Sequence, residues 1–155
     1  MCQFFSGLVI ENGDVLTHPM LDSHSDLMRY FLIPDEEIKI IRVVKWELPI
    51  PAHNWEDIAA WPFRVDQDLL PAWWTPEMAS ATEETARRRV QKMMLLEGQH
   101  RLIVDGCWLV GGRATVVDVR AGRIMKVSGS AQVRYVFGSA QVRGVSGSAQ
   151  VCGVS

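Results

Sequence analysis

Cysteine is scarce in this chain: Cys2, Cys107 and Cys152 are the three present among 155 residues, and they lie far apart. A disulfide framework needs paired cysteines, and a zinc knuckle needs a C-x-x-C element. The sequence shows neither pattern. We therefore expect three reduced thiols and no cysteine-based metal site.

Long apolar runs are also missing. A helix that spans a bilayer needs about 18 or more predominantly apolar residues in succession, and the sequence contains no such run. Residues 1–5 lack the basic segment and the cleavage site of a secretory signal peptide. These absences argue against membrane insertion and secretion, and they predict a cytoplasmic location.

The net charge is small, at −2, but it is unevenly distributed. Residues 1–111 contain 17 Asp/Glu and 10 Lys/Arg, whereas residues 112–155 contain one acidic and six basic residues. The two parts therefore carry opposite charges of about −7 and +5. Such asymmetry is typical of an acidic docking surface or a basic nucleic-acid face, but two solvated or mutually complementary ends would also show it.

The signals for hairpins and helices in residues 1–111 predict a small α+β domain. Asn12-Gly13 and Asp105-Gly106 are the residue pairs of tight hairpin turns. They predict antiparallel hairpins over residues 3–18 and 101–110.

Two helices and a long strand are predicted between these hairpins. Residues 26–32 follow several side chains that can cap a helix. Thr75-Pro76-Glu77 combines a capping hydroxyl, proline at the first helical position and an acidic residue in the first turn, and this helix is predicted to run to about Glu97. The strand covers residues 38–48, and its apolar alternation slips at Val43-Val44, which predicts a β-bulge.

A repeat of nine residues occupies the last part of the chain. Its clearest units are Gly129–Phe137 (GSAQVRYVF), Gly138–Ser146 (GSAQVRGVS) and Gly147–Ser155 (GSAQVCGVS), and degenerate units precede them over residues 112–128. Positions three, five and eight of the units are small or apolar. Disordered low-complexity tails do not keep Ala and Val at fixed positions.

The repeat predicts a β-solenoid over residues 112–155. The alternation Ala-x-Val places two apolar side chains on one face of a short strand, and glycine permits the corner that follows. A single nonapeptide cannot bury its own apolar face, so successive coils must stack about 4.8 Å apart. The number of nonapeptides per coil stays open. With two per coil, Arg134 would stack on Cys152 and Arg143 would face elsewhere.

The Ala-x-Val units resemble the hexapeptide-type and related β-helix segments at the ends of many bacterial and phage proteins. Among these are accessory proteins in which a small amino-terminal domain precedes the repeat. The resemblance implies an appended solenoid and a protein of phage or mobile-element type, located in the host cytoplasm. Many hexapeptide β-helices are acyltransferases that use a histidine on the coil surface. This array has a period of nine, and the histidines all precede it: His18, His24, His53 and His100.

Cys2 is one candidate catalytic residue. Its position after Met1 resembles the start of amino-terminal-nucleophile amidohydrolases, in which Met is removed and the new α-amine acts as the base. The alternative is a buried or incidental thiol.

A second candidate is the run of His18, Asp22, His24 and Asp26, which could supply metal ligands or acid/base groups. A zinc site needs three or four convergent ligands. Helix capping explains the same residues without a metal.

Tryptophans crowd the segment between the predicted strand and the second helix. Trp73 and Trp74 are adjacent beside two prolines and cannot easily both point inward, so they predict a protein-binding patch flanked by Asp66 and Asp68. Core packing is the alternative.

Taken together, these patterns predict a non-enzymatic interaction or scaffold protein without a cofactor. Its acidic domain would bind a macromolecular partner, and its solenoid would act as a spacer or assembly surface that self-associates through its edge. Two alternatives stay open. One is an amidohydrolase that uses Cys2, and the other is a nucleic-acid binder that uses Arg134 and Arg143 of the basic tail.

Overall fold

A computed structural model of the chain describes residues 4–34, 41–101 and 105–155. The chain divides into two compact units, Met1–Gln91 and Lys92–Ser155. The first is a small α+β unit, and the second is a β-solenoid of about three turns. This is the fold class that the sequence predicts.

The first unit is built on one antiparallel sheet with the strand order β2-β1-β3-β4. The predicted first hairpin is confirmed, because β1 and β2 pair antiparallel around the Asn-Gly turn. The elements of the unit are β1 Ser6–Ile10, β2 Val15–Leu16, α1 His24–Tyr30, β3 Val43–Glu47, a single 3-10 turn Ile58–Ala60, β4 Arg64–Val65 and α2 Pro76–Gln91.

The predicted bulge in β3 is wrong. The register between β1 and β3 runs without interruption over five residue pairs. Val43 and Val44 are both fully buried because both faces of the sheet are covered. Val43 packs with Leu27 and Met28 of α1, and Val44 lies on the opposite face, on the side of Trp46. Residues 35–40, which include the predicted start of this strand, lie outside the described residues.

Helix α2 begins as predicted, and Thr75 Oγ1 accepts a hydrogen bond from the amide of Met78 at 3.2 Å. Its predicted end near Glu97 is wrong, since the helix stops at Gln91. The chain then enters the solenoid, where Leu95 packs against the apolar core. Burial of that segment in a β-ladder overrides its local helical pattern.

Arg87 of α2 fixes the loop that precedes β4. Its guanidinium donates hydrogen bonds to the carbonyls of Ile58 and Trp61, the latter at 2.8 Å, and it pairs with Glu83 at 2.5 Å. The neighbouring Arg88 makes a similar pair with Glu84, at 3.1 Å, in a much more exposed position. One arginine therefore joins two elements, whereas the next contacts its own helix.

The second unit consists of two parallel four-stranded sheets, ordered β12-β10-β8-β6 and β11-β9-β7-β5. Strands next to each other in sequence lie in different sheets, so each coil contributes one strand to each sheet and uses two nonapeptides. The ladder that pairs Gln132 with Gln150 shows this spacing directly. The strands are β5 Met94–Leu95, β6 Gln99–His100, β7 Cys107–Val110, β8 Thr115–Val119, β9 Arg123–Val127, β10 Gln132–Val136, β11 Gln141–Val145 and β12 Gln150–Val154.

The parallel ladders begin at Met94, ahead of the predicted solenoid start at Gly112. Cys107–Val110, predicted as the second arm of a hairpin, pairs in parallel with β5 and β9. Residues 102–104, in the other predicted arm, lie outside the described residues. The early coils have shorter and degenerate units, and for that reason the nine-residue pattern does not reveal them.

The interior of the coils follows the predicted positions three, five and eight. Ala131, Val133 and Val136 are buried, although positions five and eight would point to opposite faces of a regular strand. Tyr135 between them has a φ of 55°, which reverses the alternation locally. At the corner, Gly129 has a φ of 68°, and a Cβ there would lie 2.9 Å from the carbonyl oxygen of Gly112 in the coil below.

Candidate functional site

The last two strands of the solenoid, β11 and β12, form an edge that we call the open coil. Each is the outermost strand of its sheet in the described chain and pairs on one side. The exposure of the side chain at position eight increases from β8 through β10 to β12. Val119 is 0% exposed, Val136 is 4% exposed and Val154 is 73% exposed. Val145 of β11 is 51% exposed. Side chains of the interior type therefore face solvent at this edge.

The basic side chains of the repeat do not form one stripe. Arg134 is paired with Cys152 in the β10-β12 ladder, and Arg143 lies on β11 in the other sheet. This is the arrangement expected for two nonapeptides per coil. Arg134 also donates a hydrogen bond to the side-chain oxygen of Gln132 at 2.6 Å. The geometry gives little support to a nucleic-acid groove at these two residues.

The tryptophans of the first unit divide into two groups. Trp55 and Trp61 are buried, and the indole of Trp61 donates to the Trp55 carbonyl at 2.6 Å. Trp73 and Trp74 are half-buried and meet edge to face, with ring centroids 6.4 Å apart. Trp73 also lines a surface groove with Ile10, Leu32, Ile33, Ile41 and Arg42.

Three residues of the predicted His18-to-Asp26 cluster, namely His18, His24 and Asp26, have separate roles in the structure. His18 Nδ1 accepts a hydrogen bond from the amide of Met20 at 3.2 Å. Asp26 pairs with Arg29 at 3.2 Å on the surface of α1. His24 turns instead toward the sheet, so a different set of ligand residues surrounds it.

This set, which we call the His24 cluster, consists of His24, Glu47 and Asp66. One ligand atom from each of these residues lies within 4.8 Å of the others. His24 is the first residue of α1, Glu47 is the last residue of β3, and Asp66 follows β4 directly. In the antiparallel pair of β3 and β4, Glu47 lies opposite Arg64, and the amide of Asp66 donates to the carbonyl of Lys45. Glu47 and Asp66 are therefore diagonal neighbours on one face of the sheet. The cluster therefore lies where α1 meets the ends of two strands.

The imidazole of His24 is held from both sides. Its Nε2 lies 3.0 Å from the carbonyl oxygen of Trp46, and its Nδ1 lies 3.2 Å from Oδ2 of Asp66. A carbonyl oxygen can accept but not donate, so Nε2 carries a proton. His24 is buried, whereas the side chain of Asp66 is 54% exposed. Asp66 thus connects the interior of the cluster with solvent.

Glu47 is the third member of the cluster and contributes a second carboxylate. It is 8% exposed. No hydrogen bond or ion pair to its carboxylate is found within residues 4–34, 41–101 and 105–155. Burying a carboxylate without a compensating donor or cation is unfavourable. The arrangement offers one imidazole nitrogen and two carboxylates to a common point.

The sequence alone did not predict this cluster. In the sequence, Glu47 is only one of the polar residues of the predicted strand, Asp66 is predicted to flank the tryptophan patch, and His24 is predicted to belong to a local group. The three residues come from separate segments, and no spacing joins them. The candidate nucleophile Cys2 lies outside the described residues, as do its neighbours Met1 and Gln3. Asp68 is exposed.

No family model matches this chain, and no curated protein or solved structure shows significant similarity to it. Among the described residues, no helix combines the length and the apolar character that crossing a bilayer requires. The open coil, the groove and the His24 cluster are the features of the described residues that bear on function.

Proposed function

We propose that this protein is a non-enzymatic interaction and assembly protein of the phage or mobile-element type that its repeat resembles, acting in the host cytoplasm. In this proposal, the solenoid is the assembly surface and the acidic unit binds a macromolecular partner. The observation that carries the proposal is the exposure of interior-type valines along the open coil. A further strand placed there would continue both the backbone ladder and the apolar core.

A second copy of the chain is the occupant that fits the open coil best. Two copies related by a twofold axis present the same edge to each other, which gives a closed and self-complementary interface. The contact would cover Val145 and Val154 and would pair the outer backbone groups of β11 and β12. The valines of the last coil would then be shielded from solvent, as Val119 and Val136 already are in the preceding coils.

The first unit supplies the features of a partner-binding surface. Residues 1–91 contain 15 acidic and eight basic residues, so the unit is acidic at the boundary that the structure gives. Leu32 is 88% exposed on the groove that Trp73 lines. Tryptophan is enriched at interfaces, and the acidic charge favours a basic partner.

Sedimentation velocity of matched variants tests the assembly role. In Val145→Lys/Val154→Lys, two charges enter the exposed apolar positions of the open coil. In the control Gln141→Lys/Gln150→Lys, the same two charges enter exposed polar positions on the same strands. We expect the native chain and the control to associate as concentration rises and the valine variant to stay monomeric. A monomeric native chain at high concentration, or equal behaviour of both variants, would contradict the proposal.

A further inference from the structure

We propose that His24, Glu47 and Asp66 bind a divalent transition-metal ion, with Zn²⁺ as the ion that fits best. The site lies within the first unit and does not depend on assembly through the open coil. Three observations support it: the orientation of His24, the isolation of Glu47 and the mixture of ligand types.

The orientation of His24 is that of a metal-binding histidine. Ligating histidines usually donate their second ring N–H to a carbonyl or carboxylate, which fixes the ring and directs the other nitrogen at the metal. Here Nε2 faces the Trp46 carbonyl at 3.0 Å, and Nδ1 is directed at Asp66. Tetrahedral zinc with bonds near 2.0–2.1 Å separates its ligand atoms by about 3.3 Å. The 3.2 Å between Nδ1 and Oδ2 of Asp66 matches that separation.

Glu47 supplies the second, independent observation. As a whole residue, Glu47 is 8% exposed. The described residues provide its carboxylate with no hydrogen-bond or ion-pair partner. Two carboxylates this close repel each other unless a positive charge lies between them. A divalent cation bound to Nδ1 of His24 and to both carboxylates would neutralise them and satisfy Glu47 at once.

The ligand types select the class of metal. An imidazole nitrogen suits zinc, copper, iron and nickel, whereas magnesium and calcium prefer sites made of oxygen atoms. Three protein ligands leave a fourth tetrahedral position for water. The side chain of Asp66 is 54% exposed, so water can reach the cluster from that side. The competing arrangement has no metal: a doubly protonated His24 would itself supply the positive charge between the carboxylates.

Zinc binding by isosteric variants distinguishes these arrangements. The 155-residue chain is stripped with a chelator and titrated with Zn²⁺ in competition with a chromophoric chelator. Glu47→Gln and Asp66→Asn each remove one ligand charge with little change of shape, and Asp68→Asn is the matched control at an exposed acid two residues further along. We expect the Kd for one high-affinity Zn²⁺ to rise at least about tenfold in both cluster variants and to stay unchanged in the control. Bound Co²⁺ should show the visible absorption of a tetrahedral site in the native chain and lose it in both cluster variants.

Three results would overturn the proposal. The first is the absence of stoichiometric Zn²⁺ binding by the native chain, and the second is equal affinity in all variants, which would place the ion elsewhere. The third is a nitrogen NMR spectrum in which both ring nitrogens of His24 still carry protons at saturating Zn²⁺. Asp66→Asn changes a largely exposed side chain, so it keeps the test valid even if Glu47→Gln unfolds.

Discussion

The same residue at the same repeat position has different surroundings in successive coils, and this allows a controlled test of the solenoid core. Val136 and Val154 both occupy position eight and are directly paired in the β10-β12 ladder. Val136 is 4% exposed and Val154 is 73% exposed. Replacing each with alanine should therefore have very different consequences for stability.

The magnitude follows from the methyl groups that are removed. Val136→Ala deletes two buried methyl groups at about 0.8 kcal/mol each, which is about 1.6 kcal/mol of transfer free energy. The residual cavity raises this loss to about 2 kcal/mol. That free energy corresponds to an approximately 30-fold increase in the equilibrium constant for local opening of the coil. Val154→Ala removes the same atoms from a largely solvated position and should change stability by less than about 0.5 kcal/mol.

Hydrogen exchange with mass-spectrometric readout measures this difference in stability locally, in the coils that contain the substituted valines. Peptides that cover β9 and β10 should exchange about 30-fold faster in Val136→Ala and at nearly the native rate in Val154→Ala. The native chain must be measured at low concentration, so that association at the open coil does not protect Val154. Equal acceleration by both substitutions would show that position eight does not point inward, and the proposed core would be refuted.

The remaining predictions concern the first unit and use neighbouring arginines as a matched pair. Arg87→Ala removes charged hydrogen bonds to two loop carbonyls and should lower the free energy of unfolding by about 2–3 kcal/mol. Arg88→Ala removes an exposed pair with Glu84 and should lower it by no more than about 0.5 kcal/mol. Urea denaturation followed by tryptophan fluorescence measures both, and similar midpoints for the two variants would show that the loop contacts contribute little.

The solenoid is predictable from the sequence because its physical requirement recurs at fixed positions. Every coil must place small or apolar side chains inside, and Ala131, Val133 and Val136 show this rule in one unit. The number of strands per coil is not predictable, since a nine-residue repeat is compatible with one or two units per coil. The early coils around β5 and β7 escape the pattern, because shorter units change the spacing while backbone pairing stays the same.

The His24 cluster shows why sites assembled by tertiary structure are harder to predict. The alternation of the predicted strand groups Glu47 with its polar residues, whereas in the structure Glu47 lies on the same face of the sheet as the buried Val43. Helix α1 covers that face, and its first residue, His24, closes over the carboxylate. Nothing in a linear pattern specifies where a helix will pack across a sheet. The α+β class therefore follows from local signals, whereas the site depends on contacts between distant segments.

The central structural claim is that one coil contains two nonapeptides, and cysteine cross-linking tests it most directly. In parallel neighbours about 4.8 Å apart, paired Cα atoms lie within the range of about 4.4–6.8 Å that a disulfide requires. Arg134→Cys should therefore form an intramolecular disulfide with the exposed native Cys152 under mild oxidation at low protein concentration, as identified by peptide mapping. Arg143→Cys, in the other sheet, should not. A disulfide from Arg143→Cys to Cys152, with none from Arg134→Cys, would mean one nonapeptide per coil and would contradict the account.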